Sequence, residues 1–167
     1  MATPNNTEIL LEECVNELRR VYDYIVRTFE HVRNKALALL VGEVTVAIFL
    51  YSDIGKSSLL TKKSPLYGYA FFGIGTALLF FAFYKFLRVV STVTWAFPTE
   101  DYDMKNPTAR FNDSRLEFLE YLHSEYYKKI PHCISIVKQR SKWFMEGIYA
   151  LTGGVFFVIL VKYLGGA

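Results

Sequence analysis

The stretch ALALLVGEVTVAIFLY, residues 36–51, decides how this chain is interpreted. It is almost wholly apolar, which is typical of a membrane-spanning helix, yet it carries one acid, Glu43, near its middle. An ionised carboxylate at the centre of a bilayer is unfavourable by about 2.5 kcal/mol or more, so such groups usually face a bundle interior or a water-filled path. The sequence therefore predicts a membrane helix whose buried acid has a defined role.

Glu43 admits three interpretations. It lines a pore or vestibule, where water hydrates the carboxylate and the charge favours cations. Alternatively it is structural, hydrogen-bonded to Thr45, Thr76, Thr152 or a neighbouring backbone group. In the third interpretation the first span is offset, which places Glu43 near the membrane interface.

The composition supports a membrane protein. The chain has 167 residues, of which 52% are hydrophobic and 17% aromatic, against about 45–50% apolar residues in a typical soluble domain. The excess is concentrated in three runs, which predict spans at about 36–52, 66–84 and 143–164. Residues 1–35 contain no apolar signal-peptide region, so the first span is expected to act as its own insertion signal.

Two further helices are predicted outside the membrane. The first begins near Thr7, a residue suited to an N-cap, and meets no proline or glycine before Gly42, so it enters the first span unbroken. Its apolar positions step alternately by four and three residues, which predicts packing against another helix along its whole length. This heptad stripe comprises Leu11, Val15, Leu18, Tyr22, Ile25, Phe29 and Val32. The second helix begins at a capping-box motif, residues 114–117, and Pro131 is expected to kink it.

These elements predict an all-α integral membrane protein with about three transmembrane helices and two long cytoplasmic helices that form a bundle. Residues 1–35 form the first cytoplasmic helix, 36–97 a transmembrane hairpin with a helical extension, 98–142 a cytoplasmic linker and helix, and 143–167 the third span. The glycines and Lys162 of the last segment leave open that it is re-entrant or interfacial instead.

Basic residues set the expected orientation, because cytoplasmic segments next to spans are enriched in lysine and arginine. The basic residues that three spans would place on one side are Arg33, Lys35, Lys85, Arg88, Lys138, Arg140 and Lys142. We therefore expect a cytoplasmic N-terminus and an external C-terminus. The lysines at 56, 62 and 63 run against this pattern, since they lie on the opposite side.

Two groups of basic residues are candidates for anion binding. Arg19, Arg20, Arg27 and Arg33 lie on or beside one side of the first helix. They form either a solvated flank paired with nearby acids or, across several subunits, a site for a nucleotide or oligonucleotide, since the guanidinium fork fits phosphate. The candidates for anionic lipid headgroups are Lys138, Arg140 and Lys142.

The sequence contains no pattern of a catalytic, cofactor or metal site. Its three histidines, His31, His123 and His132, lack the spacing of metal ligands. There is also no glycine-rich phosphate loop with a lysine, no nucleophile elbow and no CxxC motif. We therefore expect neither an enzymatic activity nor a cofactor.

The order of these elements resembles that of small bacterial membrane effectors of antiphage defence, of the SLATT type or the Hailong type. The shared pattern is a heptad-bearing cytoplasmic helix, 7–35, that runs into a first span, followed by a second span and a helical return at 114–142. The third span departs from a plain two-span pattern. The resemblance implies a homo-oligomer in the bacterial inner membrane, with a nucleotidyltransferase partner, that depolarises or permeabilises the membrane when a cytoplasmic nucleotide signal changes. In the Hailong case it also implies restraint by a DNA-like oligonucleotide.

The sequence thus favours an oligomeric membrane effector with channel-like activity, gated through its cytoplasmic helices. The competing hypothesis is a non-conducting membrane anchor or assembly subunit for a soluble partner. A small transporter is a weaker third hypothesis, because no internal repeat is visible.

Overall fold

The computed structural model describes residues 6–54, 65–91 and 115–164, with the side chains of 6–48, 68–91 and 115–161. Three helices account for all of these residues except Ser91: α1 is Asn6–Ile54, α2 is Pro65–Val90 and α3 is Arg115–Leu164. The prediction of an all-α chain is confirmed for this part of the protein.

The first and last helices of the described chain, α1 and α3, are unusually long. α1 has 49 residues and α3 has 50, so each joins a predicted cytoplasmic helix to a predicted span without a break. α1 begins at Asn6, which places Thr7 in its first turn rather than at the N-cap. α3 continues through Pro131 and across residue 143, where we had predicted two separate elements. The predicted linker at 98–112 lies outside the described residues.

The contacts divide the described chain into two units. Unit 1 contains residues 6–30 and 115–138, and unit 2 contains residues 31–54, 65–91 and 139–164. Each unit has its own apolar core, and each core draws on both α1 and α3.

Unit 1 is organised by the heptad stripe of α1. Val15, Tyr22 and Ile25 are buried in one cluster with residues of α3, and Leu11 and Leu18 pack against that cluster while partly exposed. The members from α3 are Leu119, Leu122, Tyr126 and Cys133. Much of the stripe in unit 1 is therefore covered by α3 of the same chain, while Leu11 and Leu18 stay partly exposed.

The two helices of unit 1 run in the same direction. Arg115, at the start of α3, pairs with Glu12, and ten residues further along α1 Tyr22 meets the ring of Tyr126 edge to face at 5.7 Å between centroids. Because these contacts advance in the same direction along both helices, α1 and α3 are parallel in unit 1.

Unit 2 packs three helices through small residues. Ala36, Ala82 and Ala150, one from each helix, are buried in one cluster with Phe86 and Val89. Small side chains let helix backbones approach closely, which is the usual basis of helix association in membranes.

Two glycines of α2 and α3 bring these helices close together in unit 2. A Cβ atom added to Gly75 would lie 3.2 Å from the carbonyl oxygen of Gly154, and one added to Gly154 would lie 3.1 Å from that of Gly75. Gly73, two residues earlier in α2, makes no such approach, since a Cβ there meets nothing within 4 Å.

Two of the three helices are long and apolar enough to cross a membrane. They are residues 68–90 of α2, whose most apolar 18-residue window has a mean hydropathy of 1.7, and α3 as far as Val161, whose most apolar window has a mean hydropathy of 1.9. Only 22% and 28% of their most apolar windows are buried within the chain, which is little for core helices of a soluble protein. The predicted first span, 36–52, extends past the last described side chain of α1 and stays a prediction.

We expect Tyr22→Ala to destabilise unit 1 far more than Tyr24→Ala. Tyr22 is 1% exposed and Tyr24 is 72% exposed, although both lie on the same turn of α1. Truncating a buried aromatic lowers the free energy of unfolding by about 3 kcal/mol or more, whereas an exposed position changes it by about 0.5 kcal/mol at most. Urea titration of the helical signal in mild detergent measures both, and equal losses would contradict the packing described for α1 and α3.

A second matched pair tests the contact between α2 and α3. Gly75→Leu should separate the two helices, because its side chain would collide with Val158 and with the backbone at Gly154. Gly73→Leu, two residues away, has free space and serves as the control. We expect a lower midpoint of thermal unfolding in detergent for Gly75→Leu alone, and an equal shift in both variants would rule out the glycine contact.

Candidate functional site

Glu43 continues the buried face of α1. Tyr22, Phe29, Ala36 and Glu43 follow one another at intervals of seven residues, and all are buried, Glu43 to 5% exposure. Seven residues are close to two turns of helix, so these side chains lie on one face. Glu43 therefore occupies a position of the heptad repeat at which an apolar residue is expected.

Both carboxylate oxygens of Glu43 are buried, and within the described part of the chain neither accepts a hydrogen bond. We had considered Thr45, Thr76 and Thr152 as donors, and that interpretation is wrong for the described residues. The hydroxyl of Thr45 donates to the carbonyl oxygen of Val41 at 3.0 Å, and that of Thr152 donates to the carbonyl oxygen of Ile148 at 2.9 Å. A buried polar group without a partner is rare and unfavourable.

A cavity of about 370 Å³ lies beside Glu43. Its lining from α1 and α2 consists of Glu43, Val44, Ala47, Ile48, Leu79, Phe80 and Phe83. Glu43 is the one polar side chain among these residues, so the cavity is an apolar pocket with a single acid at its wall. This differs from the water-lined pore that one interpretation of Glu43 assumes.

Another acid of unit 2, Glu146, has a partner. Lys85 of α2 donates to its Oε2 at 2.6 Å, across the α2–α3 contact. The ammonium group also lies 4.9 Å from the centre of the Phe81 ring, an arrangement that favours a cation. Glu146 and Lys85 thus satisfy each other, and this contact pairs α2 with α3.

Arg140 closes the C-terminal end of α2. Its Nη1 lies within hydrogen-bonding reach of the carbonyl oxygens of Arg88, Val89 and Ser91, and 2.7 Å from the Ser91 hydroxyl. The last carbonyls of a helix have no partner within the helix and carry partial negative charge, so a guanidinium is well suited to them. Burial lowers the pKa of Arg140 and the nearby Arg88 adds to this, but an arginine stays protonated in proteins.

The lipid-headgroup candidates therefore have different surroundings. Lys138 and Lys142 are exposed, whereas Arg140 is partly buried and engaged with α2. Next to it, Arg88 donates to the Tyr84 hydroxyl at 2.9 Å and lies 5.4 Å from the Trp143 ring. A small cavity of about 210 Å³ opens among Tyr84, Lys85, Arg88 and Trp143.

The arginine candidates on α1 are all exposed. Arg19, Arg20 and Arg27 belong to unit 1 and Arg33 to unit 2. Arg20 pairs with Glu17 three residues earlier at 2.5 Å, as a solvated flank would.

The structure also shows two contacts that the sequence did not indicate. The Lys85–Glu146 pair and the Arg140 cap join residues that are 61 and about 50 positions apart. No local spacing marks such pairs. Within the described residues, no group of histidine, cysteine or acidic side chains could hold a metal ion.

Comparison with protein-family models, with curated proteins and with solved structures found no match to this chain. The function is therefore argued from the geometry of these residues.

Removal of the Arg140 cap should loosen the end of α2. Arg140→Ala leaves the terminal carbonyls without their donor, and we expect a loss of about 1–3 kcal/mol in the free energy of unfolding. Arg140→Lys should recover only part of it, because an ammonium lacks the planar fork of a guanidinium. Lys142→Ala is the control, since that side chain is exposed.

Hydrogen exchange of the last turn of α2 localises the effect. Faster exchange in Arg140→Ala but not in Lys142→Ala is expected there. Unchanged exchange in both variants would contradict the cap.

Proposed function

We propose that the protein is a multi-pass membrane protein whose three helices cross the bilayer through unit 2. The support comes from the apolar length of α2 and α3 and from large apolar side chains that the chain leaves exposed. Among these are Val41, Ile48, Phe80 and Phe156. Contiguous exposed apolar surface is uncommon in soluble proteins and is covered in lipid.

The helix directions agree with alternating crossings. In unit 2, Ala36 and Phe86 share a cluster, while residues 44–48 meet residues 79–83, so α1 and α2 run in opposite directions. The Lys85–Glu146 and Gly75–Gly154 contacts likewise make α2 and α3 antiparallel. With the basic residues on the cytoplasmic side, the N-terminus is cytoplasmic and, by resemblance, the membrane is a bacterial inner membrane.

We further propose that copies of the chain assemble and give it a channel-like activity that depolarises or permeabilises this membrane. The observation that carries the proposal is Glu43, a buried carboxylate without a partner among the described residues. Acids inside a membrane usually mark paths of ions or protons. The exposed apolar residues of α1 around it, including Val41, Val44 and Ile48, offer a surface for a second copy.

The proposed gate uses the continuity of the long helices. α1 and α3 each contribute to the cores of both units, so a change at unit 1 can be passed on through either helix. By resemblance, the signal is a nucleotide or oligonucleotide made by a nucleotidyltransferase, and the role is antiphage defence. Arg19, Arg20, Arg27 and Arg33 remain the proposed ligand residues.

The second candidate function is a non-conducting anchor for a soluble partner. It is favoured by an open cavity of about 540 Å³ in unit 1, between α1 and α3. Leu10 and Tyr127 at this cavity are large apolar residues and mostly exposed. A partner helix could bury them.

Current recordings separate the two candidates. Purified wild-type protein in planar bilayers should carry a cation-preferring current. Glu43→Gln should lower the cation-to-anion permeability ratio by roughly fivefold. This factor corresponds to about 1 kcal/mol, the interaction energy of two unit charges at close range in water. Glu30→Gln, an exposed acid of α1, is the matched control and should behave as wild type.

Two results would contradict the channel proposal. The first is the absence of current from the wild type, combined with an unchanged membrane potential when the protein is expressed in bacteria, which would favour the anchor. The second is an equal ion preference in wild type and Glu43→Gln, which would remove Glu43 from the conducting path.

A further inference from the structure

The cavity beside Glu43 combines two features that are rarely found together. One is Glu43, which is 5% exposed and whose carboxylate has no hydrogen-bond partner among the described residues. The other is an adjoining space of about 370 Å³ whose remaining described lining is apolar. Sites for small molecules commonly occupy about 300–1,000 Å³ and are mostly apolar with a few polar groups that orient the ligand.

The chemistry of the lining restricts the occupant. Burying an isolated carboxylate away from water is unfavourable. A proton that neutralises the carboxylate, or a cation that pairs with it, removes this cost. A bound calcium or magnesium ion does not fit, because each requires several oxygen ligands and the described lining offers one carboxylate. An anionic ligand would be repelled by the ionised carboxylate. An uncharged hydrocarbon would give the carboxylate no hydrogen-bond donor.

We propose that this cavity binds a lipophilic ammonium ion, with the charged nitrogen at the Glu43 carboxylate and the apolar part against Leu79, Phe80 and Phe83. An N–H group would donate to the carboxylate, and such charge-assisted hydrogen bonds are about twice as strong as neutral ones. Phe80 and Phe83 also line the cavity, and an aromatic ring beside a cation can add a second favourable contact. The apolar substituents would fill the rest of the space.

The site is open to such ligands from the apolar surroundings of α1 and α2. Phe80 is 72% exposed and Ile48 67% exposed at its edge, so a ligand dissolved in the bilayer can reach it without crossing unit 2. The inference rests on the membrane placement proposed above, but it does not depend on conduction.

Phenylbutylamine is a suitable probe, because it is a cation at neutral pH and ends in an apolar ring. Phenylbutanol has a similar shape and no charge. We would measure both by equilibrium dialysis of labelled ligand against the full-length protein in a nonionic detergent. We expect the wild type to bind the amine at least about tenfold more tightly than the alcohol, as one charge-assisted hydrogen bond in an apolar site provides.

Two variants separate charge from space. Glu43→Gln is nearly isosteric and should abolish the preference for the amine, while the control Glu30→Gln should keep it. Ala47→Phe would fill the cavity and leave the carboxylate in place, so neither ligand should bind. If Ala47→Phe does not fold, the comparison of wild type with Glu43→Gln still decides the proposal.

Equal affinity of wild type and Glu43→Gln for the amine would overturn the proposal, and so would equal affinity of the wild type for amine and alcohol. If the amine does not bind and Glu43→Gln changes the oligomer size in detergent, a second copy of the chain is the partner of Glu43 instead. Binding without any current would leave this inference standing and count only against the channel function.

Discussion

The buried face of α1 constrains the rest of the structure. Val15, Tyr22, Phe29, Ala36 and Glu43 repeat every seven residues and are all buried. Because side chains are fixed around a continuous helix, Glu43 cannot turn outward unless Ala36, one heptad earlier and fully buried, turns outward with it. The burial of the acid is thus a consequence of helix continuity, and the packing of the preceding residues holds it there.

Glu43 and Glu146 of unit 2 show how much the neighbouring helix changes the surroundings of a carboxylate. Glu146 faces α2 where that helix presents Lys85, and the pair is half-buried and hydrogen-bonded. Glu43 faces α2 where it presents Leu79, Phe80 and Phe83. The cations of α2 lie towards its C-terminal end, where they also complement the helix dipole, and that leaves the middle of the helix apolar.

Periodicity in the sequence predicted the helices and the buried stripe of α1, because both depend on residues close together in the chain. The sequence also predicted that the two cytoplasmic helices form a bundle, and in unit 1 α3 packs against the stripe. The polar contacts were not predicted, because local spacing does not show which residues distant in the chain meet. Arg140 was interpreted as a lipid contact, yet it caps a helix that ends about 50 residues earlier. The role of Glu43 stays a prediction, because its surroundings depend on α2 and no local pattern in the sequence specifies that packing.

An unpaired carboxylate in an apolar cavity couples occupancy to acidity. A proton and an ammonium ion compete for the same two oxygens of Glu43, so a more acidic medium disfavours the bound cation and a bound cation disfavours the proton. A water molecule would pair poorly with Glu43 in this cavity, because the described lining offers the water no second polar partner. The proposed ligand and a proton therefore depend on the same side chain, and acidity is expected to change ligand occupancy.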